Sequence, residues 1–271
     1  MEYALKSIGT DPEVFLSEKG DIISAIGLIG GSKDKPLKVD GGALQEDNVL
    51  AEFNIQPATS SEQFVRNIRH VMDQLKAKVG PNRELIIKSS HTFTEEFLKA
   101  AGPKAMEFGC DPDYDAYLIN VNEPPNPASG MRTAGGHVHT CFNVQEPNLD
   151  PFKAAIMMDL HLGIPSLLLD DDVERRQMYG KAGACRPKLV EMGDEYDGVE
   201  YRSLSNFWLK SDELISWVYD RTEQAVDAIN NFDQMLTIVP PAHLQDVINI
   251  GDKDAANEIV QTLGIPLPSA A

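Results

Sequence analysis

Four pairs of polar residues spaced i and i+2 constrain this chain more than any other feature: Asp11/Glu13, Glu52/Asn54, His137/His139 and Glu200/Arg202. Each lies in a short stretch rich in Val, Phe, Ile or Tyr that reads as a strand, where residues two apart point to the same face. One such pair would suit any solvated strand face. Together they offer carboxylates, imidazoles and a guanidinium, and predict a sheet whose concave face can hold divalent metal and phosphate.

The surrounding pattern predicts an α+β fold built on a curved, largely antiparallel sheet with helices packed on its outer face. Residues 9–16 and 21–29 read as two strands of a hairpin turning at Lys19-Gly20, and 49–57 and 85–93 as further strands. Ser60 or Ser61 caps a helix to about Val79, where Phe64, Ile68, Val71, Met72 and Leu75 recur at helical spacing and Gly80-Pro81 ends it. A short helix covers 95–101. Asp150-Pro151 starts a buried helix to about Leu169 with a bend at Gly163-Ile164-Pro165, and Ser211 opens another to about Leu236. Two short helices are expected after Pro241. The proline-rich stretch 120–130 reads as a flap leading into GGHVHT. No linker divides the sequence, so residues 1–271 are expected to form one domain with a helical C-terminal extension from about 211.

Charge narrows the function. A formal net charge of -18 repels polyanions, which argues against general nucleic-acid binding. Cys110, Cys141 and Cys185 are odd in number and contain no CxxC, so neither a disulfide framework nor structural zinc is expected. Without a signal-like N-terminus or an apolar run of spanning length, the expectation is a soluble cytoplasmic protein that does not engage membranes.

Each polar pair also has an ordinary reading. Asp11 and Glu13 suit Mg²⁺ or Mn²⁺, or an edge turn with solvated acids. Glu52 and Asn54 alternate with Ala51, Phe53 and Ile55, as on any half-wet strand; Glu46 in the preceding QEDN is a weaker candidate. His137 and His139 follow Gly135-Gly136, which would let a ligand approach the backbone. Glu200 and Arg202 could be salt-bridge partners. The segment RRQMYGKAGACRPK concentrates Arg175, Arg176, Lys181, Arg186 and Lys188 in an acidic chain, as a phosphate clamp requires, although a solvated basic loop would look alike. GGSKDK at 30–35 lacks P-loop spacing and is set aside.

In order, Asp11-Pro-Glu13, Glu52-Phe-Asn54, Gly135-Gly-His137-Val-His139, the Arg175 to Arg186 segment and Glu200-Tyr-Arg202 resemble the motif series of glutamine synthetase and glutamate-cysteine ligase, and most of all the phage-type carboxylate-amine ligases, or amidoligases. The resemblance implies a glutamine synthetase-like catalytic domain that uses ATP and Mg²⁺ or Mn²⁺ to join a small-molecule or peptide carboxylate to an amine through an acyl phosphate. It implies a host cytoplasmic setting if the chain is phage-encoded. Carried over by motif, Asp11, His137 and Glu200 would hold one metal, and Glu13 and Glu52, with Glu46, a second. His139 would touch ATP phosphate, with Lys181, Arg175 and Arg186 of the basic segment also expected to bind ATP, and Arg202, Arg186 and Arg176 would stabilise the transferring phosphoryl group or bind the substrate carboxylate. Two departures stand out: the first motif begins at residue 9, leaving no room for a preceding β-grasp domain, and Asp11 stands where glutamate is usual.

Two other functions compete. A metal-dependent hydrolase would also use His-x-His and scattered carboxylates, without ATP. A non-catalytic binding protein would need only solvent-exposed polar strand faces. The substrates and the oligomeric state are not encoded in any residue pattern.

Overall fold

A computed structural model describes residues 2–107, 112–123, 130–171 and 174–268. Most of the expected flap at 120–130 therefore lies outside the described residues, as does Cys110. The fold mixes helices with antiparallel sheets. Its strands are β1 (Leu5–Thr10), β2 (Glu13–Glu18), β3 (Asp21–Ile23), β4 (Leu37–Val39), β5 (Gly42–Asp47), β6 (Leu50–Ile55), β7 (Arg83–Ile86), β8 (Ser90–Thr92), β9 (Tyr114–Asp115), β10 (Asn120–Val121), β11 (Met131–Thr133), β12 (Val138–Phe142), β13 (Ala184–Lys188) and β14 (Gly198–Tyr201).

These strands form more than the single sheet expected from the sequence. One six-stranded sheet runs β1-β12-β14-β13-β9-β10, and a second runs β3-β2-β6-β5-β4 with β7 beside β2; β8 and β11 pair separately. The expected strand at 9–16 is broken at Asp11-Pro12. Proline has no N–H for a ladder, so pairing stops there and the chain steps from β1 in the first sheet to β2 in the second. The β2/β3 hairpin turns on two residues as expected, with Lys19 and Gly20 both at positive φ (55° and 91°). The expected strand at 85–93 is likewise two strands, because β7 pairs with β2 while β8 pairs with β11.

Helix signals translate closely. Ser60 Oγ accepts from the Gln63 N–H at the start of Ser61–Val79, whose Phe64, Ile68, Val71 and Leu75 are buried. The helix Asp150–Met158 passes through a π-helical turn, Asp159–Gly163, before continuing as Ile164–Leu169. Pro165 cannot donate a backbone hydrogen bond, and the Ile164 N–H reaches back to Asp159 O. The helix expected from Ser211 to about Leu236 is instead Asp212–Ala228, a 3₁₀ turn at Ile229–Asn231 and a separate helix Phe232–Ile238, and the short helices Pro241–Ile250 and Lys253–Leu263 follow, completing the helical layer. Among the described residues no helix is long and apolar enough to cross a membrane.

Asp159 ties that layer to the first sheet. Fully buried, it accepts from the hydroxyls of Tyr201 (2.7 Å) and Tyr117 (2.9 Å), from Ser203 Oγ (3.4 Å) and from the Gly183 N–H (2.6 Å). Burial outweighs these donors and pushes its pKa from 3.8 to about 7. Between those values the native state holds a proton that the unfolded chain has released. Stability from this group is therefore present at low pH and lost as pH rises toward 7, by on the order of 4 kcal/mol in full. Asp159→Asn, uncharged throughout, should lack this slope. Urea unfolding of both proteins at several pH values between about 4 and 8 checks it, and parallel pH profiles would count against the assignment.

Candidate active site

Strand register assembles the first cluster. His139 on β12 lies directly across from Glu200 on β14, which lies across from Arg186 on β13. Asp11, at the end of β1, reaches the same place. One ligand atom from each of Asp11, His139 and Glu200 lies within 4.8 Å of the others. The histidine in this group is thus His139, whereas motif resemblance assigned His137 to the metal and His139 to phosphate. His137 precedes β12, and its Nδ1 lies 3.2 Å from Asp11 Oδ1 and 3.4 Å from Arg202 Nη1.

The second cluster grows from the other end of the same tripeptide. Glu13 on β2 lies directly across from Glu52 on β6, which faces Gln45 on β5. Strand alternation then places Asp47, two residues beyond Gln45, with them, and Glu13, Asp47 and Glu52 bring one oxygen each within 4.8 Å of the others. Glu46 points from the opposite face of β5. Its Oε1 accepts from the N–H groups of Gly27 (3.0 Å), Ile29 (3.2 Å) and Gly30 (3.0 Å), so it organises that loop and stands outside the carboxylate trio. Asn54 is exposed.

The two clusters differ electrically. Although burial pushes both acids up, the charge of His139 holds Asp11 well below the usual carboxylate range, and the Arg202 guanidinium brings Glu200 down to about 2. Burial lowers His137 to about 4, with Arg202 adding to the effect, whereas the Asp11 carboxylate outweighs burial and raises His139. In the second cluster burial, reinforced by Asp47, lifts Glu13 to about 8; burial raises Asp47, and burial with Asp11 raises Glu52 well above its usual value. Three crowded carboxylates that stay raised despite Arg175, Arg202 and Lys33 nearby are a donor set that a divalent cation would complete. The first group offers a second sign of fit. Asp11 Oδ1 and His139 Nε2 are buried only 3.0 Å apart, an ion pair whose two atoms both face the place where the third ligand, Glu200, converges. Mixed carboxylate and imidazole donors suit Mg²⁺ or, better, Mn²⁺.

Of the basic candidates, some reach the site and others do not. Arg202 donates through Nη1 to Glu200 Oε1 and through Nε to Asp113 Oδ2 (3.3 Å). Arg186 Nη1 lies 3.2 Å from Glu200 Oε1, and Lys188 Nζ 3.5 Å from Glu200 Oε2. Arg175 is buried and donates to the carbonyls of Ser203 (2.8 Å) and Arg202 (3.0 Å), holding the backbone on either side of the Arg202 peptide. Arg176, expected to be catalytic, is buried against Ser166 Oγ (3.1 Å) in the helical layer and does not line the cleft. Lys181, expected to bind ATP, is exposed and contributes its carbonyl to Ser203 Oγ.

The glycine pair does structural work. A Cβ on Gly135 would lie 2.3 Å from His137 Nε2, and one on Gly136 2.3 Å from Ser205 O. Side chains are excluded there by the protein's own packing. Gly135 also exchanges bonds with Glu13, its N–H to Oε2 (2.7 Å) and its carbonyl from the Glu13 N–H (2.9 Å).

A cleft of about 330 Å³ opens beside the second cluster, bordered by Glu13, Asp47, His137, Arg175, Arg202 and Arg132. That volume matches small-ligand sites. Ser32, Lys33 and Asp34 of the glycine-rich loop also line it, although the loop is no P-loop. Sequence reading missed Asp47, Asp113 and Lys33; Asp47 joins Glu52 on one face only because β5 pairs Gln45 with Glu52. No family model and no curated protein matches this chain. A solved structure described as a novel glutamine synthase homolog aligns with 97% of this chain and 68% of its own at 13% identity, with a TM-score of 0.34.

Proposed function

We propose that this protein is an ATP-dependent carboxylate-amine ligase. The observation that carries the reading is the pairing of two ligand groups across Asp11-Pro12-Glu13, with Arg202 beside one and lining the cleft next to the other. Asp11, His139 and Glu200 would hold one divalent cation, and Glu13, Asp47 and Glu52 a second. Bound there, the ions would neutralise charge on ATP phosphates.

The chain's own residues do the rest. Arg202, fixed by Glu200 and Asp113 and by Arg175 behind it, presents a rigid planar donor to phosphoryl oxygens. Neutral His137 adds no second positive charge beside that guanidinium. In the reaction a substrate carboxylate oxygen attacks the γ-phosphorus of ATP and ADP departs. An amine nitrogen then attacks the acyl carbon, phosphate leaves, and the amine proton passes to solvent or base. On this reading the two sheets meeting at Asp11-Pro12 form the curved floor that the motif resemblance implies.

ADP release should therefore require Mg²⁺ or Mn²⁺ together with a carboxylic acid and an amine. Hydroxylamine supplied with ATP and the correct acid should trap a hydroxamate. Metal-dependent hydrolysis without ATP turnover would instead favour the hydrolase. Failure to detect ADP or hydroxamate across broad panels of acids and amines would leave the ligase reading without support.

A further inference from the structure

Tyr196 belongs to neither ligand group, yet its ring packs beside one of them. The ring neighbours His139, with centroids 6.2 Å apart and planes inclined at 42°. Its hydroxyl oxygen is buried and makes no hydrogen bond. A phenol ionises only well above neutral pH, so the group is an O–H donor there.

The segment bearing Tyr196 is pinned on both sides. Asp194 Oδ2 accepts from the Leu189 N–H (2.9 Å) and Asp197 Oδ1 from the Val190 N–H (3.0 Å), while the Asp197 carbonyl accepts from the Phe142 N–H (3.2 Å). Lys188 Nζ spans Asp194 Oδ1 (3.6 Å) and Glu200 Oε2 (3.5 Å), joining this segment to the ligand group itself. The tyrosine is thus fixed in place by groups other than its own hydroxyl. A phenol facing two carboxylates ordinarily donates to one of them. Here it donates to neither, and an unsatisfied buried hydroxyl contributes nothing favourable to folding.

We propose that the Tyr196 hydroxyl donates to a phosphate oxygen carried by the cation at Asp11, His139 and Glu200. The acceptor belongs to a nucleotide or to the inorganic phosphate released from it. The inference rests on the ligase reading for the presence of that cation, and it adds a contact that none of the sequence motifs contains.

Tyr196→Phe removes only the hydroxyl. Calorimetric titration of wild type and Y196F with Mn²⁺ alone, with ADP in the presence of Mn²⁺, and with inorganic phosphate in the presence of Mn²⁺ separates the sources, and thermal melts report on the fold. The expected result is unchanged Mn²⁺ affinity, a Tm equal to or above that of wild type, and affinity for ADP weakened by about tenfold or more, as for loss of a hydrogen bond to a charged acceptor. A loss confined to inorganic phosphate would place the acceptor on the released phosphate and uphold the inference. Equal ADP and phosphate affinities in the two proteins would overturn it while leaving the ligase reading intact. Weakened binding of Mn²⁺ alone would overturn it by making the phenol part of the cation site, and a lowered Tm by showing that the hydroxyl has a partner within the fold. Wild-type protein that binds neither ADP nor phosphate with Mn²⁺ would overturn the ligase reading and this inference together.

Discussion

Glu13→Gln should lower ADP release by on the order of 10³-fold while melting at or above the wild-type temperature. Glutamine keeps the volume of Glu13 and an oxygen to accept the Gly135 N–H, so the pairing of that backbone survives. What disappears is one negative charge among three crowded carboxylates. Burial and Asp47 already raise Glu13 to about 8, so the cation-free protein loses little when the side chain becomes neutral. A bound cation, by contrast, loses an anionic oxygen. The two measurements move apart only if Glu13 serves a cation, and turnover retained in the variant would remove Glu13 from the site. Glu200→Ala is a poorer test, because it strips a shared partner from Arg202, Arg186 and Lys188 and leaves buried positive charges facing one another.

Arg202→Lys should lower kcat by on the order of 10³-fold with little change in KM. The guanidinium spans Glu200 and Asp113 at once through separate nitrogens and reaches the edge of His137. A lysine amine, a single point of charge on a flexible stem, cannot make both contacts in a fixed plane. Charge is conserved but aim is lost, and aim matters most for charge that develops only in the transition state. Steady-state kinetics with hydroxamate trapping checks this. An effect confined to KM would make Arg202 a substrate-binding residue.

Much of the candidate site was legible because strands obey a period of two. Asp11/Glu13 and Glu200/Arg202 stood out as polar interruptions in apolar runs, and the structure brings Asp11, Glu13, His139, Glu200 and Arg202 to neighbouring clusters. Register across strands was not legible. Whether Glu46 or Asp47 shares a face with Glu52 depends on β5 pairing Gln45 with Glu52, which no local pattern specifies. Which of His137 and His139 groups with Glu200 has a similar origin, since only the β1 to β12 to β14 pairing decides it. Arg176 and Lys181 were drawn from the basic segment and from its motif resemblance. A basic run announces charge but not direction, and five residues after Arg176 the chain has turned Lys181 outward while Arg176 faces Ser166. Helices were read more faithfully because caps and 3.6-residue periodicity are local signals. The division into two main sheets hung on Pro12, a residue whose tolerance at a strand start concealed that it ends one ladder and begins another.

That proline step fixes the distance between the two clusters by covalent means. Asp11 and Glu13 are separated by a single residue with a restricted φ, so the two ligand groups are tethered where the sheets join. Lengthening that joint by one residue would shift one ligand group against the other while leaving each of them intact.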